Sequence, residues 1–106
     1  MKKNIAILMG GYADEHDISI KSGNIVYKHL SKETYNTYRV VIAKDAWYYW
    51  DDNDQKTPVN RADFSVEENG KTIKFDAAFN TIHGTPGEDG LLQAYLELVN
   101  LSLIHI

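Results

Sequence analysis

The sequence predicts an α/β domain with a parallel central sheet, helices against it, and an antiparallel hairpin insertion. Three observations carry that prediction. Two short apolar runs, residues 4–9 and 77–82, each deliver the chain to a polar loop that begins with or contains glycine, and each loop is followed by an amphipathic stretch. Strand, loop and helix therefore occur twice, the order that builds parallel sheets. Between the two copies, residues 46–75 are rich in aromatic and β-branched residues cut by turn formers, the mark of antiparallel pairing. A chain of 106 residues has room for one domain with a real core.

Composition narrows the function. A net charge of -4 without a cluster of Lys or Arg argues against nucleic acid as a partner, because phosphate binding needs concentrated positive charge. The absence of cysteine excludes a disulfide framework, thiolate metal sites and a cysteine nucleophile, and it fits a reducing compartment. Met1-Lys2-Lys3 leads straight into an apolar run too short for a signal-peptide core or a membrane span. A cytoplasmic protein without a membrane partner is expected.

Taken in order, Asn4-Ile5-Ala6-Ile7-Leu8-Met9 is continuously apolar, which suits a strand covered on both faces, and Gly10-Gly11 ends it. A helix follows the acidic stretch 12–17, with Ile18, Ser22, Ile25 and His29 on one stripe and Val26 and Leu30 beside it. Either Asp14 or Asp17 is placed to cap it, and both complement the positive end of its dipole. His16 and His29 are expected at its surface. The helix should stop near Leu30, and residues 37–43, rich in β-branched side chains, form the second strand of a right-handed βαβ unit.

Trp47-Tyr48-Tyr49-Trp50 lacks interleaved basic residues and reads as an aromatic edge strand or hairpin rather than a base-stacking platform. Asp51-Asp52-Asn53-Asp54 is a solvated turn that lacks the glycine and distal glutamate of a helix-flanked calcium loop, so no metal is expected there. Residues 64–66 and 71–75 flank Asn69-Gly70, the favoured two-residue hairpin turn. Residues 76–82 return to the core as the next parallel strand. Leu91, Leu92, Tyr95, Leu96, Leu98 and Val99 then give a helix whose apolar side faces the sheet.

Ligands bind in open α/β sheets beyond the carboxyl ends of the strands, where both glycine loops sit. The first loop supplies Gly10, Gly11 and Glu15; the second supplies His83, Gly87 and Glu88. Helix N-termini there favour an anionic group, and a carboxylate such as Glu15 favours an ammonium. Together they suit a zwitterion, of which an amino acid is the simplest. Singly, each residue has a plainer reading: Glu15 compensates a helix dipole, His83 is a satisfied structural histidine, and Glu88 and Asp89 start a helix. Gly10-Gly11 lacks the further glycine of a dinucleotide fingerprint.

As a set, the residues say more. His83-Gly84-x-x-Gly87-Glu88-Asp89-Gly90-x-Leu92-Gln93-Ala94 resembles the N-terminal signature of D-alanine-D-alanine ligases at every specified position. Ile7-Leu8-Met9-Gly10-Gly11 followed by Glu15, Ser19 and Ser22-Gly23 resembles the opening segment of that family. The resemblance implies a Rossmann-like, pre-ATP-grasp, three-layer domain from a cytoplasmic ligase that makes D-alanyl-D-alanine for peptidoglycan. In such enzymes ATP, with Mg or Mn, phosphorylates the first D-alanine, and the amine of the second attacks the acyl phosphate. By the same resemblance Glu15 would hold the ammonium of the first D-alanine and His83 would sit by its carboxylate, as the catalytic pair. Glu88 would orient His83, and Gly10, Gly11, Gly84 and Gly87 would let the backbone approach the substrate. The family also implies a homodimer.

The family continues into ATP-grasp domains that hold ATP and the metal, and none of that sequence is here, so no cofactor is expected on these residues. After Asn100 the chain reads Leu101-Ser102-Leu103-Ile104-His105-Ile106, where the family tends to have Leu-Pro-Tyr-Thr-Gly. The codons CTG TCT CTT ATA CAC ATC, which spell a transposon-end adapter of sequencing libraries, would encode the same six residues. The expectation is a native substrate-binding domain over 1–100 and a non-native tail over 101–106, left out of fold reasoning and with no role for His105. Two other readings stay open: a stand-alone α/β module that binds a small amino acid, and a ligase that joins D-alanine to D-lactate or D-serine.

Overall fold

In the computed structural model, which describes residues 2–12, 16–82, 90–99 and 101–105, ten elements follow in order. They are β1 (Lys3–Gly10), α1 (His16–His29), β2 (Tyr35–Ile42), β3 (Trp47–Trp50), β4 (Lys56–Pro58), β5 (Ser65–Glu68), β6 (Lys71–Lys74), β7 (Ala77–Asn80), α2 (Leu91–Leu98) and β8 (Ser102–His105). Six strands form one sheet in the order β4-β3-β2-β1-β7-β8, and β5-β6 form a separate hairpin. Strand β1 is parallel to both β2 and β7, while β3 and β4 join antiparallel at the β2 side.

The apolar run of β1 becomes a central strand because both its faces are covered. Ala6 and Leu8 join Val40, Ile42, Phe64, Val66, Phe75, Leu92 and Leu96 on one face. Ile7 and Met9 join Val41 on the other, under Ile20, Val26, Tyr27 and Leu30 of α1 and its C-terminal end. Three layers result: α1, the sheet, and a mixed layer of α2 with the β5-β6 hairpin. Full burial of an aliphatic side chain such as Leu8 contributes ~1.5–3 kcal/mol, so this alternation is strongly specified.

Helix α1 turns a different stripe to the sheet from the predicted one. Ile18 and Ile25 are 58% and 59% exposed, whereas Ser19 and Gly23 are buried. The reason is closeness of approach. A Cβ on Gly23 would lie 2.6 Å from Met9 Cβ, so only the smallest residues let the helix seat on β1. Asp17 lies inside the first helical turn rather than at its cap, and Asp14 lies outside the described residues. His29 is exposed as predicted, but His16 is half-buried against the loop that follows β1.

The insertion over 46–75 divides in two. Its first part extends the main sheet as the β3-β4 hairpin, with β4 at the edge; its second is the β5-β6 hairpin around Asn69-Gly70, both with positive φ. Strand β4 is legible only in the structure, because three residues ending in Pro58 carry little strand signal and proline is confined to such edges. Asp51 Oδ1 accepts the N–H groups of Asn53 and Gln55 at 2.9 Å, closing the acidic turn on itself. Arg39 ties this hairpin to α1: it donates to Asn24 Oδ1 at 3.0 Å and Asp51 O at 2.8 Å and lies 4.0 Å from the Trp50 ring centre.

On α2, Leu92 and Leu96 are buried, but Leu91 and Leu98 are 61% and 84% exposed. Six predicted inward residues are more than one helix stripe holds; Leu92, Leu96 and Val99 lie on the inner one, with Tyr95 at its margin. The tail also departs from expectation as regards the fold. Residues 102–105, set aside in the sequence reading, pair in parallel with β7 as β8, Ala77 opposite Ser102 through Asn80 opposite His105. The other edge of β7 is open to any extended segment, and pairing there satisfies backbone groups whatever the codons' origin.

Two outcomes test this packing. Gly23→Ala should destabilise the fold by ~1–3 kcal/mol in urea unfolding, since overpacking against Met9 outweighs the helix propensity gained by losing glycine. The Tyr27 hydroxyl is pushed up to about 12 from its ordinary value of 10.0, first by burial and then by its hydrogen bond to Asp52. The protonated phenol is the form the fold favours. Its contribution is therefore complete below pH 10.0 and lost as pH rises through about 12. Alkaline absorbance titration of the chain against Tyr27→Phe should remove a tyrosinate transition centred in that window.

Candidate functional site

The strand order reverses direction between β1 and β7. From β1 the chain crosses by α1 to β2 on one side; from β7 it continues by α2 to β8 on the other. That is the switch point of an open α/β sheet, where the loops leave a crevice. The two predicted loops start there side by side. The residues at their roots are held by a dense set of hydrogen bonds.

The first root is Gly10-Gly11-Tyr12. Gly10 and Gly11 have φ of +100° and +98°, a left-handed conformation open to glycine. Gly10 N–H donates to Ser19 Oγ at 3.0 Å, and Gly11 N–H donates to Ile42 O at 2.7 Å. His16 Nδ1 donates to Gly11 O at 2.9 Å, which requires the proton on that nitrogen because a carbonyl only accepts. Trp47 Nε1 donates to the Tyr12 hydroxyl at 2.9 Å. The backbone thus leaves β1 in one direction only, braced by α1, β2 and β3.

The second root is Asn80-Thr81-Ile82. Thr81 N–H and Thr81 Oγ1 both donate to Leu8 O, at 2.9 and 2.7 Å. Ser19 Oγ donates to Thr81 O at 2.8 Å, and Ile82 N–H donates to Asn80 Oδ1 at 2.9 Å. Thr81 is 3% and Ile82 4% exposed, so these bonds form away from water. The chain re-enters described structure at Gly90, the left-handed N-cap of α2 with φ 85°, whose carbonyl accepts the Ala94 N–H at 3.0 Å.

Of the predicted site residues, Gly10 and Gly11 lie at the C-terminal end of β1 and just beyond it. Glu15, His83, Gly84, Gly87 and Glu88 lie outside the described residues, as does Asp89. Sequence reasoning from the residues passed over His16 as surface and gave Ser19 and Thr81 no structural part. The available signal was Ser19 with Gly23, two small residues one helical turn apart on a helix that must approach a strand. Among the described residues no three His, Asp or Glu side chains gather to hold a metal, and no helix is long and apolar enough to cross a membrane.

The bracing of Gly10 has a direct test. A Cβ at this position meets His16 Cε1 at 2.9 Å and Ile42 O at 3.1 Å, in a backbone conformation that side chains disfavour. Gly10→Ala should cost ~1–3 kcal/mol of stability. Adding His16→Ala should recover little, because the strained φ and the Ile42 carbonyl remain; a double variant as stable as His16→Ala alone would refute the backbone account.

Comparison with known proteins agrees with this arrangement. The family model described as D-ala D-ala ligase N-terminus matches residues 4–104. The D-alanine--D-alanine ligase of Christiangramia forsetii is 59% identical over 101 residues, covering 95% of this chain and 31% of that protein. Among solved structures, the D-alanine-D-alanine ligase from Coxiella burnetii superposes with a TM-score of 0.83 at 29% identity, over 96% of this chain and 34% of that one. The VanG D-Ala:D-Ser ligase from Enterococcus faecalis gives 0.81 at 26%, over 97% of this chain and 35% of its own. The chain spans about a third of the length of the relatives it matches. With the family model covering residues 4–104, nearly the whole chain, the chain belongs to the D-ala D-ala ligase N-terminus family.

Proposed function

We propose that this chain forms the first-substrate side of an ATP-dependent D-alanine-D-alanine ligase, which joins two D-alanines for peptidoglycan synthesis in the cytoplasm. The observation that carries the reading is the adjacency of β1 and β7 at the switch point, which starts the Gly10-Gly11 and His83 loops from neighbouring strand ends. Glu15 follows the first root and is assigned to the ammonium of the first D-alanine. His83 follows the second and is assigned to its carboxylate, with Glu88 orienting it. Gly84 and Gly87, like Gly10 and Gly11, are assigned to close backbone approach.

The remaining two thirds of the ligase are assigned ATP and Mg or Mn, and ATP when bound supplies the phosphoryl group that activates the first carboxylate. This chain's own part is to bind and orient. Holding reactants in line removes entropy from the barrier, so positioning is a real catalytic contribution. A homodimer completes the proposal on family likeness.

The likeness to a D-Ala:D-Ser ligase at a TM-score of 0.81 supports leaving the second substrate open, because the fold of this part is common to ligases that differ there. A stand-alone amino-acid sensor is the reading from another class. Tight D-alanine binding by residues 1–106 alone, without ATP, would favour it. In the full-length ligase, Glu15→Gln should raise the KM for the first D-alanine by about tenfold or more, since a charge-assisted contact contributes ~1.5–3 kcal/mol. His83→Ala should weaken use of the same substrate with ATP binding nearly unchanged. Steady-state kinetics with each substrate varied decides it, and unchanged values would remove both residues from the site.

A further inference from the structure

In a parallel pair the rungs follow one another in fixed order along the two strands. With Leu8 opposite Asn80, Thr81 N–H donates to Leu8 O at 2.9 Å, and the next rung of an unbroken ladder runs from Gly10 N–H to Thr81 O. That rung is interrupted. Gly10 N–H donates to Ser19 Oγ at 3.0 Å, and Ser19 Oγ donates to Thr81 O at 2.8 Å. One hydroxyl of α1 is inserted between two strands of the sheet.

The insertion changes the spacing. A direct rung holds N and O ~2.9–3.0 Å apart, whereas two bonds in series through an oxygen with an open angle hold them roughly 4–5 Å apart. Ser19 is fully buried, so water does not compete for either bond. A serine inside a helix ordinarily bonds back to its own preceding turn. Here both bonds leave the helix for the two strand ends, at sequence separations of 9 and 62.

What the hydroxyl contributes is width rather than satisfaction of polar groups. Without it, an amide N–H and a carbonyl are left facing each other, and they satisfy one another by closing the rung. We propose that Ser19 is a positioning residue whose hydroxyl acts as a spacer between the roots of the two loops and so sets the fit of the first amino-acid substrate. The proposal rests on the functional reading given above. Glu15 lies five residues beyond Gly10, and His83 two beyond Thr81, so a shift at the roots is passed to the groups assigned to the substrate. A displacement of ~1 Å in such a group costs as much as ~100-fold in rate.

The test is Ser19→Ala in the full-length ligase, with Ser19→Thr, which keeps the hydroxyl, beside it. In the crystal structure of the alanine variant, Gly10 N and Thr81 O should close to within ~3.2 Å. The KM for the first D-alanine should rise about tenfold or more, the KM for ATP should stay within about twofold, and threonine should restore most of the loss. An unchanged N-to-O separation with an unchanged KM for D-alanine overturns the proposal. So do equal losses for both substrates that track a fall in Tm and are not relieved by threonine. Should the alanine variant not fold, Ser19→Cys carries the same readouts, with an intermediate KM expected. A wild-type enzyme that makes no dipeptide defeats the functional reading instead, and the crystallographic separation still decides whether Ser19 is a spacer.

Discussion

The fold depends on unequal parallel pairing along β1. Its eight residues pair with β2 from Lys3 to Gly10, but with β7 only from Ile5 to Leu8. Met9 and Gly10 therefore outrun β7 while remaining bonded to β2. The sheet is continuous on one side of β1 and leaves a notch on the other. A longer β7 would seal it with backbone hydrogen bonds, and a shorter β1 would leave the first loop without the support of Ile42, whose carbonyl holds Gly11 N–H. Because both faces of β1 are buried, its register cannot slip by one residue without exchanging Ile7 and Met9 for Ala6 and Leu8. The notch is thereby fixed in place by the core.

Helix α1 reaches the notch by giving up side-chain volume. Gly23 seats against Met9, and Ser19, one turn earlier, arrives at the strand ends with a hydroxyl rather than a bulky group. A larger apolar residue at either position would add hydrophobic burial but lift the helix from the sheet. The helix compensates at its far end, where Tyr27 and Arg39 stack near each other, 5.0 Å from guanidinium to ring centre, and Tyr27 bonds to Asp52 in the β3-β4 hairpin at 2.7 Å. Polar and aromatic contacts hold the end far from the site, and close packing holds the end near it.

This division explains what could be read from the residues alone. The parallel strands, the two helices, the Asn69-Gly70 hairpin and the glycines at the first root were legible because each follows from a local rule, whether apolar continuity or a positive φ. The orientation of α1 was not, because counting apolar residues favours Ile18 and Ile25, while the sheet selects for smallness. Leu91 and Leu98 misled in the same way on α2. Strand β4 is too short and proline-bearing to announce itself, and the tail's strand depends on an edge that only the assembled sheet provides. His16, Ser19 and Thr81 are ordinary residues in sequence. Their meaning arises from contacts between the helix, loop and strand ends that no periodicity records.

A substrate site at a sheet notch has a physical advantage over one built on loops alone. The loop residues that touch a ligand can be set by side-chain choice, but their separation is inherited from the strands beneath, and backbone rungs allow only one spacing. Inserting a side-chain oxygen into a rung is a way to obtain a second spacing without unpaired polar groups, and Thr81, whose amide and hydroxyl both hold Leu8 O, keeps the opened end from fraying. Under the proposed function, with the activation chemistry in other domains, this one would have a single task, to present a small zwitterion at a fixed place. The rigidity of its strand ends, rather than any reactive group among the described residues, is what equips it for that task.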